Sequence, residues 1–120
     1  MKEFQELHQA VINDRRYSLW SKQQTITERI RTLQGEVQEL SEALHNENIT
    51  NFQEELGDVI WDTLSIAAIA EEKGLFTTQE VLHNVILKFK QRKPFIFTGE
   101  SVSKEEESRI WQEAKNKGKA

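Results

Sequence analysis

A single proline and five glycines punctuate the 120 residues, and the proline waits until position 94. Alternation of β-branched residues is nearly absent, so the chain is bound to fold as helices joined by short turns. Phe4, Leu7, Val11 and Ile12 carry helical spacing and predict a first helix over about residues 2–17. A second is expected to begin near Ser21 or Thr25, because Thr25 and Glu28 have capping-box spacing. Ile26, Ile30, Leu33, Val37, Leu40 and Leu44 then keep the three–four rhythm up to the polar turn His45-Asn46-Glu47-Asn48. Thr50 with Gln53 opens a third helix to about Lys73, where Gly74 stops it. Thr77 with Glu80 opens a fourth, to about Arg92, short of Pro94. Ser103 with Glu106 opens a fifth, through Trp111 to about Lys115, with a frayed end over residues 116–120. No repeat, low-complexity segment or linker interrupts the chain. One all-α domain over residues 1–120 is expected, a helical bundle of about five mostly antiparallel helices.

Charge and cysteine usage narrow the function. Lys plus Arg is 16 against 20 for Asp plus Glu, a net charge of −4, which argues against a nucleic-acid partner held by broad phosphate neutralisation. The absence of cysteine excludes disulfide scaffolds, thiolate zinc sites and cysteine nucleophiles. The longest nearly unbroken apolar stretch, Leu64 to Ala70, falls far short of the about 20 residues that span a bilayer, so no membrane association is expected. Met1 to Glu6 has neither an apolar core nor a cleavage signal, and a cytoplasmic location is the expectation.

The third helix departs from a plain bundle helix. At about 100° per residue, Glu55, Asp58 and Asp62 share one narrow arc. Leu56, Val59, Ile60, Trp61, Leu64, Ile66, Ala67, Ile69 and Ala70 cover most other directions. A helix apolar nearly all round is a buried one, and buried ionised carboxylates require partners or a metal. The competing reading turns the acidic arc to solvent. On the second helix Glu36 and Glu39 lie one turn apart at the flank of the apolar stripe, a pattern that alone reads as a solvated edge. An E-x-x-E pair and an E-x-x-D pair on antiparallel neighbours can nevertheless converge, and four carboxylates suit Mg²⁺ or Mn²⁺. Such a site binds metal-chelated phosphates and holds a water for attack. The di-iron arrangement needs two Glu-x-x-His units; Glu80 to His83 is the one such spacing, and His8 and His45 lack the partner.

Lys88 and Arg92 share a face of the fourth helix, with Lys90 and Lys93 adding charge. They read either as a phosphate clamp or as a basic helix end complementing the dipole. Trp111 and Lys115 repeat the spacing, offering an aromatic face and a cation to a nucleotide, or a core anchor and a surface lysine. Trp20, with Gln24 and Thr25 nearby, is most simply a core or cap-packing residue.

In this order the pieces resemble the MazG family of nucleoside triphosphate pyrophosphohydrolases. Its E-x-x-E, spacer, E-x-x-D signature is matched by Glu36-Val37-Gln38-Glu39, fifteen residues, then Glu55-Leu56-Gly57-Asp58. Trp20 with Gln24-Thr25 is similar to the W-x-x-x-Q-T entry to the first metal helix. Ala70 to Gly74 resembles the turn after the second. Lys88, Arg92, Pro94 and Phe97 fit K-x-x-x-R-x-P-x-x-F, and Trp111 with Lys115 the closing W-x-x-x-K. The resemblance spans about residues 20–115. One departure is Gly35, where the family often has a further glutamate; a helical glycine costs about 1 kcal/mol relative to alanine, and its smallness is expected to admit close approach of a helix or ligand.

The resemblance implies Mg²⁺-dependent (Mn²⁺ as substitute) hydrolysis of a nucleoside triphosphate to monophosphate and pyrophosphate, in the service of nucleotide-pool house-cleaning. Glu36, Glu39, Glu55 and Asp58 would hold metal, and one of them would orient or deprotonate the attacking water. Lys88 and Arg92 would neutralise the departing pyrophosphate, with Lys115 and Trp111 closing over the phosphates. Asp62 is a candidate contact to sugar, metal or water, and Trp20 and Gln24 are candidate base or sugar contacts. A homodimer or homotetramer is implied, in keeping with the wide apolar cover of the third helix. The alternatives are a relative specific for dCTP, dUTP or phosphoribosyl-ATP, and a non-catalytic helical interaction module with a metal-stabilised acidic cluster.

Overall fold

The computed structural model describes residues 1–118, and among these there are seven helices and no strand. They fall into two compact units, Met1–Thr78 and a second that starts at Gln79. No helix among the described residues is long and apolar enough to cross a membrane.

In the first unit, α1 (Lys2–Tyr17) has the expected bounds. It buries Val11 against Leu64 and Ala68 of α4 (Ile49–Glu72), with Leu7 and Trp61 packed at the edge. A short α2 (Leu19–Lys22), unforeseen from the sequence, is capped by Ser18, whose hydroxyl accepts from the Ser21 amide at 3.2 Å. The Arg15 guanidinium fixes this turn by donating to the Ser21 and Gln24 carbonyls while pairing with Glu72 at 2.7 Å. The next helix, α3 (Ile26–His45), starts at the foreseen capping box, with Thr25 and Glu28 bonded reciprocally at 3.1 Å. Asn46 and a left-handed Glu47 (φ 56°) reverse the chain, and Asn48, not Thr50, caps α4 by accepting from the Asn51 amide. Helix α4 ends at Glu72 with Gly74 in the left-handed region (φ 72°).

The α3–α4 hairpin does not bury what periodicity assigned to its core. On α3 the inward positions include Ile26, Leu33 and Leu40, but also Arg29, Glu36 and Ala43 at intervals of seven. Ile30, Val37 and Leu44, equally part of the apolar rhythm, remain exposed. On α4 the buried residues, Asp62, Leu64, Ser65, Ala68, Ile69 and Ala70, all lie in the C-terminal half, whereas Leu56 and Ile60 are exposed. Of the inward polar residues, Arg29 is held by Asp62 on α4, whereas Glu36 faces the like charge of Glu55.

The second unit holds α5 (Thr78–Arg92) from its second residue on, a four-residue α6 (Phe95–Thr98) and α7 (Lys104–Gly118). Pro94, at φ −57°, opens α6, and Gly99 at φ 77° closes it. Ser103 caps α7 as expected, accepting from the Glu106 amide at 3.1 Å. Helix α7 continues through Asn116, Lys117 and Gly118, so these three are helical rather than frayed; Lys119 and Ala120 lie outside the described residues. Phe89 and Trp111 meet with ring centroids 6.1 Å apart, and Lys93 pairs with Glu107 at 2.9 Å.

Candidate active site

Antiparallel pairing of α3 and α4 brings Glu36, Glu39 and Glu55 together, each offering a carboxylate oxygen within 4.8 Å of the others'. Glu36 and Glu55 each keep one oxygen, Oε2, shut from solvent and without a hydrogen-bond donor. Carboxylates this close cannot all ionise freely, and the acids respond accordingly. For Glu36 the side-chain contact with Glu55 pulls the pKa down, but burial and the charges of Glu39, Asp58 and Asp62 outweigh it and push it above the ordinary value. Glu39 is raised mainly by its contact with Glu55 and that residue's charge. Glu55 is raised mainly by its contact with Glu36, then by burial. Among the described residues this is the only cluster of three such ligands, and it contains no histidine.

Asp58, the fourth acid of the sequence pattern, is exposed and outside that close group, although its charge reaches Glu36 and Glu55. Asp62, one turn further on, is buried, with its Oδ1 3.6 Å from Arg29 Nη1. Burial raises its pKa despite the opposing pull of Arg29. Trp20 is not the packing residue expected from its position: it is 62% exposed, with the Arg29 guanidinium 5.2 Å from its ring centroid. Gln24 is half-buried in the turn before α3. A Cβ at Gly35 would meet nothing within 4 Å, so no other helix of this chain approaches that glycine closely.

In the second unit, Arg92 stacks on Trp111, its Cζ 5.0 Å from the ring centroid, with Lys93 Nζ at 5.9 Å from the same ring. Lys88 is exposed, its Nζ 5.9 Å from the Phe89 ring, and Lys115 is exposed on α7. Arg92 and Trp111 are thus brought together, while Lys88 and Lys115 extend into solvent.

The residue missed from sequence is Arg29. Its signal was spacing: it stands seven before Glu36, as Asp62 stands seven after Glu55, so one face of each helix carries both residues.

The MazG nucleotide pyrophosphohydrolase domain matches residues 24–97, a stretch that contains both carboxylate pairs. The chain belongs to the MazG family. A MazG-related protein from Thermotoga maritima has the same fold in its crystal structure, with a TM-score of 0.88 and 31% identity over 93% of this chain and 98% of that one. A nucleoside triphosphate pyrophosphohydrolase of Mycobacterium tuberculosis is 34% identical over 103 residues, 84% of this chain and 32% of its own length. The nucleoside triphosphate pyrophosphohydrolase/pyrophosphatase MazG of Thermotoga maritima is 36% identical over 78 residues, 65% of this chain and 31% of its own. This MazG chain therefore spans about a third of the length of these two curated relatives.

Proposed function

We propose that the protein hydrolyses nucleoside triphosphates, with deoxy- or non-standard nucleotides as the substrate class, to the monophosphate and pyrophosphate, as a house-cleaning enzyme. The observation that carries this is the meeting of Glu36, Glu39 and Glu55 within a MazG domain, with two shielded oxygens lacking a donor. All-oxygen, anionic donors suit Mg²⁺, with Mn²⁺ as substitute. Glu36, Glu39 and Glu55, joined by Asp58 at the rim, would hold the metal, which when bound neutralises charge on the phosphates and acidifies water.

The remaining work falls to the chain. One of the four carboxylates orients the attacking water and accepts its proton. By the match of their motifs to the family's, Lys88 and Arg92 are assigned to the leaving pyrophosphate and Lys115 with Trp111 to the phosphates, since phosphoryl transfer requires positioning and charge compensation above all. Trp20, Gln24 and Asp62 receive the base and sugar. The exposed apolar row Ile30, Val37 and Leu44 on α3 and its counterpart Ile49, Leu56 and Ile60 on α4 favour a homodimer or homotetramer in which a second hairpin covers them.

The test incubates the protein with Mg²⁺ and a panel of ribo-, deoxy- and modified nucleoside triphosphates, following pyrophosphate and monophosphate together. The expected outcome is equal release of both, lost in EDTA and in Glu55→Gln, with the ranking naming the substrate. Unchanged pyrophosphate release from Glu55→Gln would sink the site assignment. Metal binding without any turnover would favour the non-catalytic module.

A further inference from the structure

Arg29 is 4% exposed, yet nothing in the carboxylate chemistry above uses it. Its guanidinium reaches three other helices of the first unit. Nη1 lies 3.6 Å from Asp62 Oδ1 on α4, and Nη2 lies 3.6 Å from Asp14 Oδ2 on α1 and 3.4 Å from the Ser21 hydroxyl on α2. The plane also faces the Trp20 ring at 5.2 Å.

These bonds are incomplete. Both ion-pair distances exceed those of charge-assisted hydrogen bonds. Arg29 Nε has no acceptor and Asp62 Oδ2 has no donor, although both are shut from solvent and Asp62 is only 4% exposed. Native interiors seldom leave such atoms unpaired. The cluster thus keeps one donor without an acceptor and one acceptor without a donor, and a sugar hydroxyl, which is both, can complete either. Beside it, an indole that is mostly in solvent and backed by a cation is a platform on which a base can stack.

Placement supports the same reading. Arg29 faces Asp62 across the hairpin as Glu36 faces Glu55, each member seven residues from its fellow on the same helix. Seven residues of helix are about 10 Å, so the two levels are separated by roughly the reach from a nucleotide's phosphates to its nucleoside.

We propose that Arg29 is the positioning residue for the nucleoside half of the substrate: it holds the Trp20 face and the Asp62 carboxylate in one arrangement, two helical turns from the acidic cluster. This rests on the nucleotide reading given above and adds to it the residue that sets nucleoside recognition. Arg29 touches no reacting atom. Its effect is on nucleoside affinity, not on metal binding.

The test is a double-mutant cycle on Arg29→Lys and Trp20→Ala. Binding of the α,β-imido analogues of the eight common ribo- and deoxynucleoside triphosphates is measured by calorimetry, and binding of Mn²⁺ alone serves as control. Each single variant is expected to weaken the best-bound analogue about tenfold, the double variant no more than the weaker-binding single, and Mn²⁺ affinity to stay within about twofold. Additive losses, no loss, or an equal loss of Mn²⁺ affinity would overturn the proposal. Should Arg29→Lys fail to fold, Trp20→Ala with Asp62→Asn reads the same coupling, since the guanidinium holds both. Wild-type protein that binds Mn²⁺ but none of the analogues also overturns it. Turnover is read separately, so absence of pyrophosphate release with intact nucleotide binding points to failure of the catalytic reading.

Discussion

Glu36, Glu39 and Glu55 place three acid oxygens where two would already repel, and without a cation the fold must tolerate that repulsion or take up a proton. Raised pKa values mean that the folded chain binds protons more tightly than the unfolded one. Stability from this source is therefore complete below the ordinary carboxyl value of 4.5 and is lost as pH rises through the raised folded values. In EDTA near neutral pH, Glu36→Gln is expected to melt above wild type, because it removes one repelling charge. The gap should close as pH falls toward 4.5, and Mg²⁺ should reverse the order by stabilising wild type alone. Thermal melts of the two proteins across pH, with and without metal, check this. A wild type that melts higher in EDTA at neutral pH would show that the three acids do not strain the metal-free fold.

At the level of the helix, the α3–α4 hairpin separates what local sequence decides from what it leaves to tertiary contact. The Thr25–Glu28 box and the Ser103 cap were legible because a cap is settled within one turn of chain. The carboxylate pairs were legible for a similar reason, since spacing alone puts each pair on one face. Which face of α3 turns inward was not. The sequence offers apolar residues in two neighbouring rows; Arg29 lies inside with Asp62 as its counter-charge, and Glu36 turns inward although Glu55, a like charge, opposes it. Residues about twenty and about thirty positions away leave no mark on the local pattern of α3. At Gly35 smallness suggested close approach of a helix or ligand, and no neighbour within this chain comes within 4 Å of a Cβ placed there. Open space in a helix interior means that the glycine contributes only its flexibility. Gly35→Ala is thus expected to stabilise the fold by about 1 kcal/mol, a rise in melting temperature of about 4 °C. A calorimetric scan tests it, and a lower melting temperature would reveal a neighbour at position 35 that the isolated chain does not show.

For the whole molecule the deciding quantity is apolar surface left without cover. Leu44 is 56% and Ile49 67% exposed, on opposite sides of the α3–α4 turn, and Val37 and Leu56 continue the strip along both helices. On α5, Val81, Leu82, Val85, Ile86 and Leu87 are exposed as well. A contiguous strip running across an antiparallel hairpin is self-complementary, so a second copy related by a two-fold axis can bury it against the same residues. Sedimentation of the wild type is accordingly expected to give at least twice the 14.0 kDa chain mass. Leu44→Lys with Ile49→Lys tests the strip at a distance from Glu36 and Glu55. Both side chains are largely in solvent within the single chain, so the fold should survive with its helical content unchanged, whereas two buried lysines per copy would oppose association. The double variant should shift toward the single-chain mass and require higher protein concentration to associate. Wild-type protein that sediments as one chain at micromolar concentration would remove the case for an oligomer, and the exposed strip would then need an occupant other than this chain.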